Sequence, residues 1–149
     1  MLSRFESWSR SNKKYMKFKE STRKNLNIKQ IESLRDSVGW HRHRGEKKWN
    51  EILSKSFFVY SIWDGDKMIG MGRILEDGVM CMFYDIVVHR DYQGKGVGKM
   101  IMNNLINKVK DKNYTSIGLF ATPENKEFLI PFYKKYGFEL SETGMEIRK

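Results

Sequence analysis

The chain has 149 residues, with 28 Lys and Arg, 18 Asp and Glu, a net charge of +10 and a single cysteine. Its length fits one domain, and the absence of any apolar run of about eighteen residues excludes a membrane-spanning helix. Cys81 has no partner for an internal disulfide, so the predicted compartment is a reducing cytoplasm. The three histidines, His41, His43 and His89, lack metal-ligand spacing, and no metal is expected.

The positive charge is concentrated in the first part of the chain. Residues 1–60 carry 15 Lys and Arg against 6 Asp and Glu, whereas residues 61–149 are almost neutral. A basic segment of this kind is compatible with contact to nucleic acid, an acidic protein or an anionic cofactor. No aromatic RNA-binding signature or zinc finger accompanies it, so a solvated surface is favoured over nucleic-acid binding.

The first third of the chain predicts two helices. Residues 1–14 are interpreted as a flexible N-terminal extension, and 15–149 as a single domain whose first strand covers Tyr15 to Phe18. Apolar residues at helical spacing predict a helix from Asn27 to Val38. A second helix is predicted from Glu46 to Lys55.

Strands dominate the middle of the chain, and helices alternate with strands after it. Apolar runs bounded by Asp- and Gly-containing turns predict three strands, at 57–63, 68–75 and 79–89. The remaining predicted elements are a helix at 98–110, a strand at 116–121, a helix at 127–136 and a hairpin of 138–140 with 145–148. This order predicts an α/β fold with helices on both faces of the sheet.

The junction between the central strand and its helix carries three glycines at alternate positions, Gly94, Gly96 and Gly98. Glycines let the backbone approach a ligand, and the helix start offers free N–H groups to phosphate. The dinucleotide fingerprint and the ATP/GTP loop both fail at Lys99, where each needs a glycine. What remains is the pattern Q-x-x-G-x-G, which starts at Gln93.

This pattern resembles the acetyl-CoA pyrophosphate loop of the GNAT N-acetyltransferase superfamily. A second segment, Pro131 to Phe138, resembles the family's F-Y-x-K-x-G-F motif and follows the loop at the family's spacing. The resemblance covers roughly residues 15–149. It implies the GNAT fold, a mixed central sheet of about six to seven strands flanked by about four helices.

The resemblance implies an acetyl-CoA-dependent N-acetyltransferase in which a primary amine attacks the thioester directly in a ternary complex. The amine is either a small molecule or a protein lysine or N-terminus. The residues expected to bind the cofactor are the strand residues Ile86, Val87 and Val88, the loop residues Gln93, Gly94, Lys95, Gly96, Val97, Gly98 and Lys99, and Asn125.

Two residues are expected to be catalytic. Tyr133 matches the family tyrosine that reaches the CoA sulfur, and a phenol of pKa about 10 can donate to a thiolate. Asp85 lies in an apolar strand, where an ionised group is costly unless it is paired or functional. It is a candidate base, although pairing with Arg73 or activation of the amine by water alone is equally compatible with the sequence.

The resemblance implies that the acceptor pocket is lined by Trp40, His41, Arg73 and Phe83. The run Ser37 to Trp40 resembles a subgroup of small bacterial and plastid GNAT proteins that acetylate aromatic or lysine-type amines, which narrows the acceptor only weakly. The alternatives are a non-catalytic CoA-binding module, a ribosome- or nucleic-acid-associated protein, and transfer of a longer acyl group. A homodimer is among the assemblies that the resemblance allows.

Overall fold

Runs of apolar and β-branched residues form a five-stranded sheet in the computed structural model, which describes residues 18–149. The strands are β1 (Lys19–Ser21), β2 (Phe58–Asp64), β3 (Lys67–Glu76), β4 (Met80–Val88) and β5 (Ser116–Leu119). The helices are α1 (Ile28–Ser37), α2 (Glu46–Lys55), α3 (Val97–Val109) and α4 (Lys126–Lys134). Single 3₁₀ turns at Arg90–Tyr92 and Pro123–Asn125 precede α3 and α4.

The strands lie in the sheet in chain order. β1 to β4 pair antiparallel, with α1 and α2 between β1 and β2 and short turns between the later strands, whereas β4 and β5 are parallel and are joined by the crossover helix α3. The sheet is therefore mixed, with its parallel pair next to the glycine-rich loop that leads into α3.

Helices cover both faces of the sheet because each helix carries one apolar stripe. On one face, α1 and α2 bury residues such as Leu34 and Trp49 against Met71. On the other face, α3 and α4 bury residues such as Ile101 and Tyr133. The first of these we call the α1–α2 face and the second the α3–α4 face.

A β-bulge interrupts the pairing of β3 with β4. Met71 pairs with Val87 and Arg73 pairs with Tyr84, so Gly72 alone faces the two residues Asp85 and Ile86. Asp85 has a φ of 48°, the only positive value of a non-glycine among residues 18–149. The bulge changes the face of the strand, since Cys81 and Phe83 lie on the α3–α4 face but Val87 lies on the α1–α2 face.

The α/β class and the four helices are confirmed, but the expected six to seven strands are too many for the described residues, which form five. The predicted hairpin of 138–140 and 145–148 is not formed, and Leu140, Met145 and Ile147 are largely exposed. Its strands would be only three or four residues long and are interspersed with charged residues, too little apolar surface to offset the ordering of the chain.

The first strand lies at Lys19–Ser21, later than predicted, and residues 15–17 of the predicted strand lie outside the described residues. The predicted N-terminal extension, 1–14, also lies outside them. Between residues 18 and 149, no helix is long and apolar enough to cross a membrane.

Two glycines of β3 allow α3 to lie directly on the sheet. A Cβ atom added to Gly72 would lie 2.8 Å from Ile101 Cγ2 and 3.0 Å from Leu105 Cδ1. A Cβ at Gly70 would lie 2.8 Å from Val97 Cγ1. These positions set how closely α3 approaches β3.

We expect Gly72→Ala to lower the free energy of unfolding by about 1–3 kcal/mol, because α3 must move away from β3 to accept the methyl group. Urea denaturation measures the change. Gly144→Ala is the matched control, since an added Cβ there meets nothing within 4 Å. Equal midpoints for the two variants would contradict close packing of α3 on Gly72.

Candidate functional site

The pairing of β4 with β5 ends before β4 does. Phe83 and Leu119 form the last pair, while β4 continues to Val88. Among the described residues, no strand pairs with that side of β4 beyond Phe83. The two strands therefore diverge, and the second half of β4 has an open backbone edge, which we call the gap.

The register with β3 indicates which backbone groups point into the gap. His89 N–H donates to the Ile69 carbonyl at 2.8 Å, and alternation along an antiparallel pair then directs the Val87 backbone toward Met71. The N–H and C=O groups of Ile86 and Val88 point the other way, into the gap. In agreement, the Val88 carbonyl accepts from Gln93 Nε2 at 3.2 Å.

The glycine-rich loop ends in a helix start whose N–H groups have no side-chain cap. Gly94 and Gly96 have φ values of 72° and 83°, which favour glycine. Gly96 is the N-cap of α3 and gives no side-chain hydrogen bond, and the first turn of α3 contains no acidic residue. Free N–H groups and the positive end of the helix dipole therefore face the loop, as an anion site requires.

The side chains of the glycine-rich loop contribute less to an anion site than its backbone N–H groups do. Lys95 Nζ lies 5.1 Å from the centre of the Tyr92 ring, and Tyr92 donates to Asp64 at 2.7 Å. Lys99 is exposed on the first turn of α3. The loop is therefore built to present main-chain donors, with Lys99 as a cation beside them.

Tyr133 lies in α4, behind the start of α3. Its ring packs edge-on against Phe132 and Phe138, and burial raises the pKa of its hydroxyl to about 12. The hydroxyl therefore stays protonated at neutral pH. Phe132 brings α4 to the loop, since a Cβ at Gly98 would lie 3.5 Å from Phe132 Cζ. Asn125 is exposed at the N-cap of α4 and makes no side-chain cap bond.

Asp85 forms a buried ion-pair cluster on the α1–α2 face. Its side chain is 7% exposed, and Arg73 Nε donates to Oδ2 at 2.7 Å. Arg44 Nη1 lies 3.1 Å from Oδ1 and 3.3 Å from Oδ2. Both carboxylate oxygens are thus engaged by guanidinium groups, which compensates the cost of placing the charge inside the sheet.

The four predicted pocket residues do not lie together. Arg73 contacts Asp85, and Trp40 is half-buried with Arg35 Cζ 5.8 Å from its ring. His41 points to solvent, where its exposed ring lies 3.2 Å from Asp36. Phe83 is a core residue rather than a pocket wall, because its ring is 2% exposed and packs on Phe138.

Sequence reasoning missed a second buried carboxylate, Glu32 of α1. Glu32 accepts hydrogen bonds from the Arg44 backbone N–H and from Trp49 Nε1, both at 2.8 Å, and lies 3.3 Å from Arg35 Nη1. Burial by itself would raise the pKa of Glu32, but these bonds and the Arg35 charge together lower it. The nearest sequence feature was the run of aromatic and basic residues Trp40-His41-Arg42-His43-Arg44. This run did not show that a buried carboxylate lies beneath it.

The contacts of Glu32 fix the loop between α1 and α2. Arg35 also donates to the Arg42 carbonyl at 2.9 Å, so the second half of the loop is tied at Arg42 and at Arg44 to buried side chains. Closer to solvent, His43 Nε2 lies 2.8 Å from Asp36 Oδ1, and this hydrogen bond raises the pKa of His43. Arg44 is consequently held over Trp49, 4.7 Å from its ring centre, with its guanidinium at Asp85.

Comparison with known proteins agrees with this arrangement. Residues 25–138 match the acetyltransferase (GNAT) family. An uncharacterized N-acetyltransferase, ycf52, of Pyropia yezoensis is 34% identical over 131 residues, which cover 85% of this chain and 72% of that protein. The chloroplastic GCN5-related N-acetyltransferase 2 of Arabidopsis thaliana is 27% identical, over 81% of this chain and 53% of that protein.

A solved structure shows the same architecture. A probable acetyltransferase from meticillin-resistant Staphylococcus aureus superposes with a TM-score of 0.75 at 25% identity, covering 89% of this chain and 99% of that one. The chain therefore belongs to the acetyltransferase (GNAT) family and is an acyltransferase.

Proposed function

We propose that this GNAT acetyltransferase uses acetyl-CoA to acetylate a primary amine, by direct attack in a ternary complex. The amine belongs to a small molecule or to a protein lysine or N-terminus. The observation that carries the proposal is the position of the uncapped start of α3 at the end of the open β4 edge. An uncapped helix start and a strand edge that no described strand pairs with suit a ligand with a phosphate at one end and amides along its length.

The residues of the gap and the loop fit acetyl-CoA. The N–H groups from Gln93 to Lys99 would hold the pyrophosphate, with Lys95 and Lys99 as exposed cations beside them. The backbones of Ile86 and Val88 would pair with the pantetheine arm, and Val87 would support them through its pairing with Met71. Asn125 would lie at the far end of the loop before α4. The cofactor supplies the thioester whose acetyl group is transferred.

The backbone of β4 would polarise the thioester carbonyl. A strand N–H directed into the gap, at Ile86 or Val88, is fixed before the substrate arrives and needs no rearrangement. A preorganised donor at a developing oxyanion is worth about 3 kcal/mol.

Tyr133 would protonate the sulfur that leaves. Its hydroxyl is protonated across the physiological range, as an ordinary phenol is, and burial, which raises its pKa to about 12, favours this neutral form further. Its ring is held by Phe132 and Phe138, which fixes the direction of the hydroxyl.

We assign Asp85 a positioning role. Its two oxygens are occupied by Arg73 and Arg44, so the carboxylate holds these guanidinium groups at the bulge rather than accepting the amine's proton. The proton would then leave to water, because positioning of the amine supplies much of the rate.

We further propose that residues 15–149 act as one transferase domain in a reducing compartment such as the cytoplasm. The family match at 25–138 supports the domain, and the buried free thiol of Cys81, whose pKa burial raises to about 11, is compatible with the compartment.

We expect Gly96→Glu to weaken acetyl-CoA binding by about 100-fold, since the new carboxylate repels phosphate and the side chain strains a left-handed backbone position. Isothermal calorimetry measures the affinity, and thiol release on a panel of primary amines measures turnover. Gly78→Glu is the control, because Gly78 has a φ of 87° in the turn between β3 and β4, at the opposite end of β4 from the loop. Unchanged affinity in Gly96→Glu would contradict the cofactor assignment.

We expect Tyr133→Phe to lower kcat by about 100-fold with little change in acetyl-CoA affinity, because only the proton donor is removed. Steady-state thiol release gives kcat, and calorimetry gives the affinity. Tyr136→Phe removes a hydroxyl from a neighbouring half-buried ring and should leave kcat unchanged. Normal turnover in Tyr133→Phe would make Tyr133 a packing residue only.

We expect Asp85→Asn to lower the free energy of unfolding by about 3 kcal/mol, since it leaves Arg73 and Arg44 without their counter-charge. The acidic limb of the pH profile of kcat/KM should persist, because Asp85 is not the base. Asp91→Asn, at a largely exposed carboxylate, controls for the change in net charge. Loss of the acidic limb in Asp85→Asn alone would instead identify Asp85 as the base.

A further inference from the structure

We infer that the acceptor is a small amine that carries an anionic group, a carboxylate or a phosphate, bound in a basic cleft at the α1–α2 loop. This inference rests on the proposed acetyl transfer and names the substrate class of that same site.

The cleft has a volume of about 380 Å³ and is lined by Arg35, Arg42, His43, Arg44, Lys48 and Ile52. Five of the six lining side chains carry nitrogen donors, and none is a carboxylate. A cleft of this size matches a small-molecule site rather than an extended polymer surface.

The cations of the cleft differ in how fully they are neutralised. Arg35, His43, Arg44 and Lys48 each pair with one carboxylate, but none of those four carboxylates lines the cleft. Arg42 makes no side-chain ion pair with any residue in 18–149. The Arg42 guanidinium is the strongest candidate to bind the anionic group of the ligand, since arginine binds carboxylate and phosphate with two parallel hydrogen bonds.

The cleft is built on buried contacts, which distinguishes it from a mobile group of surface lysines. Arg35, whose side chain is 7% exposed, forms its floor and donates to the Arg42 carbonyl. Glu32 fixes the backbone of Arg44 on the other side. The positions from which Arg42 and Arg44 project are therefore set before a ligand binds.

The cleft is connected to the transfer site by one side chain. Arg44 lines the cleft and also contacts Asp85, the residue that precedes Ile86 in the bulge. An anion held by Arg42 and Arg44 would direct the rest of a short molecule toward β4. A primary amine at the other end of that molecule would then reach the gap from the α1–α2 face.

The test compares paired amines that differ in the anionic group, 2-aminoethyl phosphate against ethanolamine and 4-aminobutyrate against butylamine. We expect the anionic member of at least one pair to have a kcat/KM about tenfold or more higher, and the pair that responds distinguishes phosphate from carboxylate. Arg42→Ala should reduce this preference about tenfold, whereas Lys47→Ala, which removes an exposed charge outside the cleft, should retain it.

Binding provides a readout that does not depend on catalysis. Inorganic phosphate is titrated by indole fluorescence in the presence of saturating CoA, and Arg42→Ala should weaken phosphate binding about tenfold while Lys47→Ala does not. Failure of the proposed function would appear as absent CoA binding and no release of the CoA thiol from acetyl-CoA with any amine. Acetylation without preference for the anionic amines, equal effects of the two variants, or preference for an acidic peptide or RNA would each overturn the inference itself.

Discussion

The β-bulge at Asp85 and Ile86 is the constraint on which the rest of the site depends. One extra residue in β4 reverses the faces of the strand, so that Val87 points to the α1–α2 face although Phe83 points to the other. The same change sends the backbone groups of Ile86 and Val88 into the gap left by β5. Without the bulge, alternation would place the Asp85 side chain on the α3–α4 face with Phe83, away from both arginines.

The bulge is held by charge rather than by apolar packing. Asp85 adopts a left-handed φ of 48°, a conformation that costs about 1–3 kcal/mol for a residue with a side chain. Arg73 from the neighbouring strand and Arg44 from the α1–α2 loop converge on its carboxylate. A buried carboxylate with two guanidinium partners contributes little net stability, but it makes alternative registers of β4 costly, because a slipped strand would leave the charges unpaired.

The sequence predicted the parts of the site that are encoded within a few residues. The glycine loop, the start of α3 and the Phe132-Tyr133 motif follow from local spacing and from a resemblance to known enzymes. Arg44 was missed because its partner Asp85 lies 41 residues away, and no local pattern records such a contact. Phe83 was assigned to the pocket by resemblance, but the bulge two residues later separates the face of Phe83 from the face of Val87. The final hairpin was predicted around the turn residues Glu142 to Gly144, and a turn does not show whether a sheet edge will accept the two strands.

The two faces of β4 divide the chemistry between two kinds of donor. On the α3–α4 face, main-chain N–H groups of the loop and helix start provide partial positive charge without a dense group of cations. On the α1–α2 face, full charges are gathered over the buried carboxylates Glu32 and Asp85. The basic side chains around the α1–α2 loop therefore lie on the face opposite the glycine-rich loop. Because a helix start can bind phosphate by itself, the cations on the other face would, in the proposed reaction, recognise a different molecule, and the bulge would be the point at which both molecules reach the same strand.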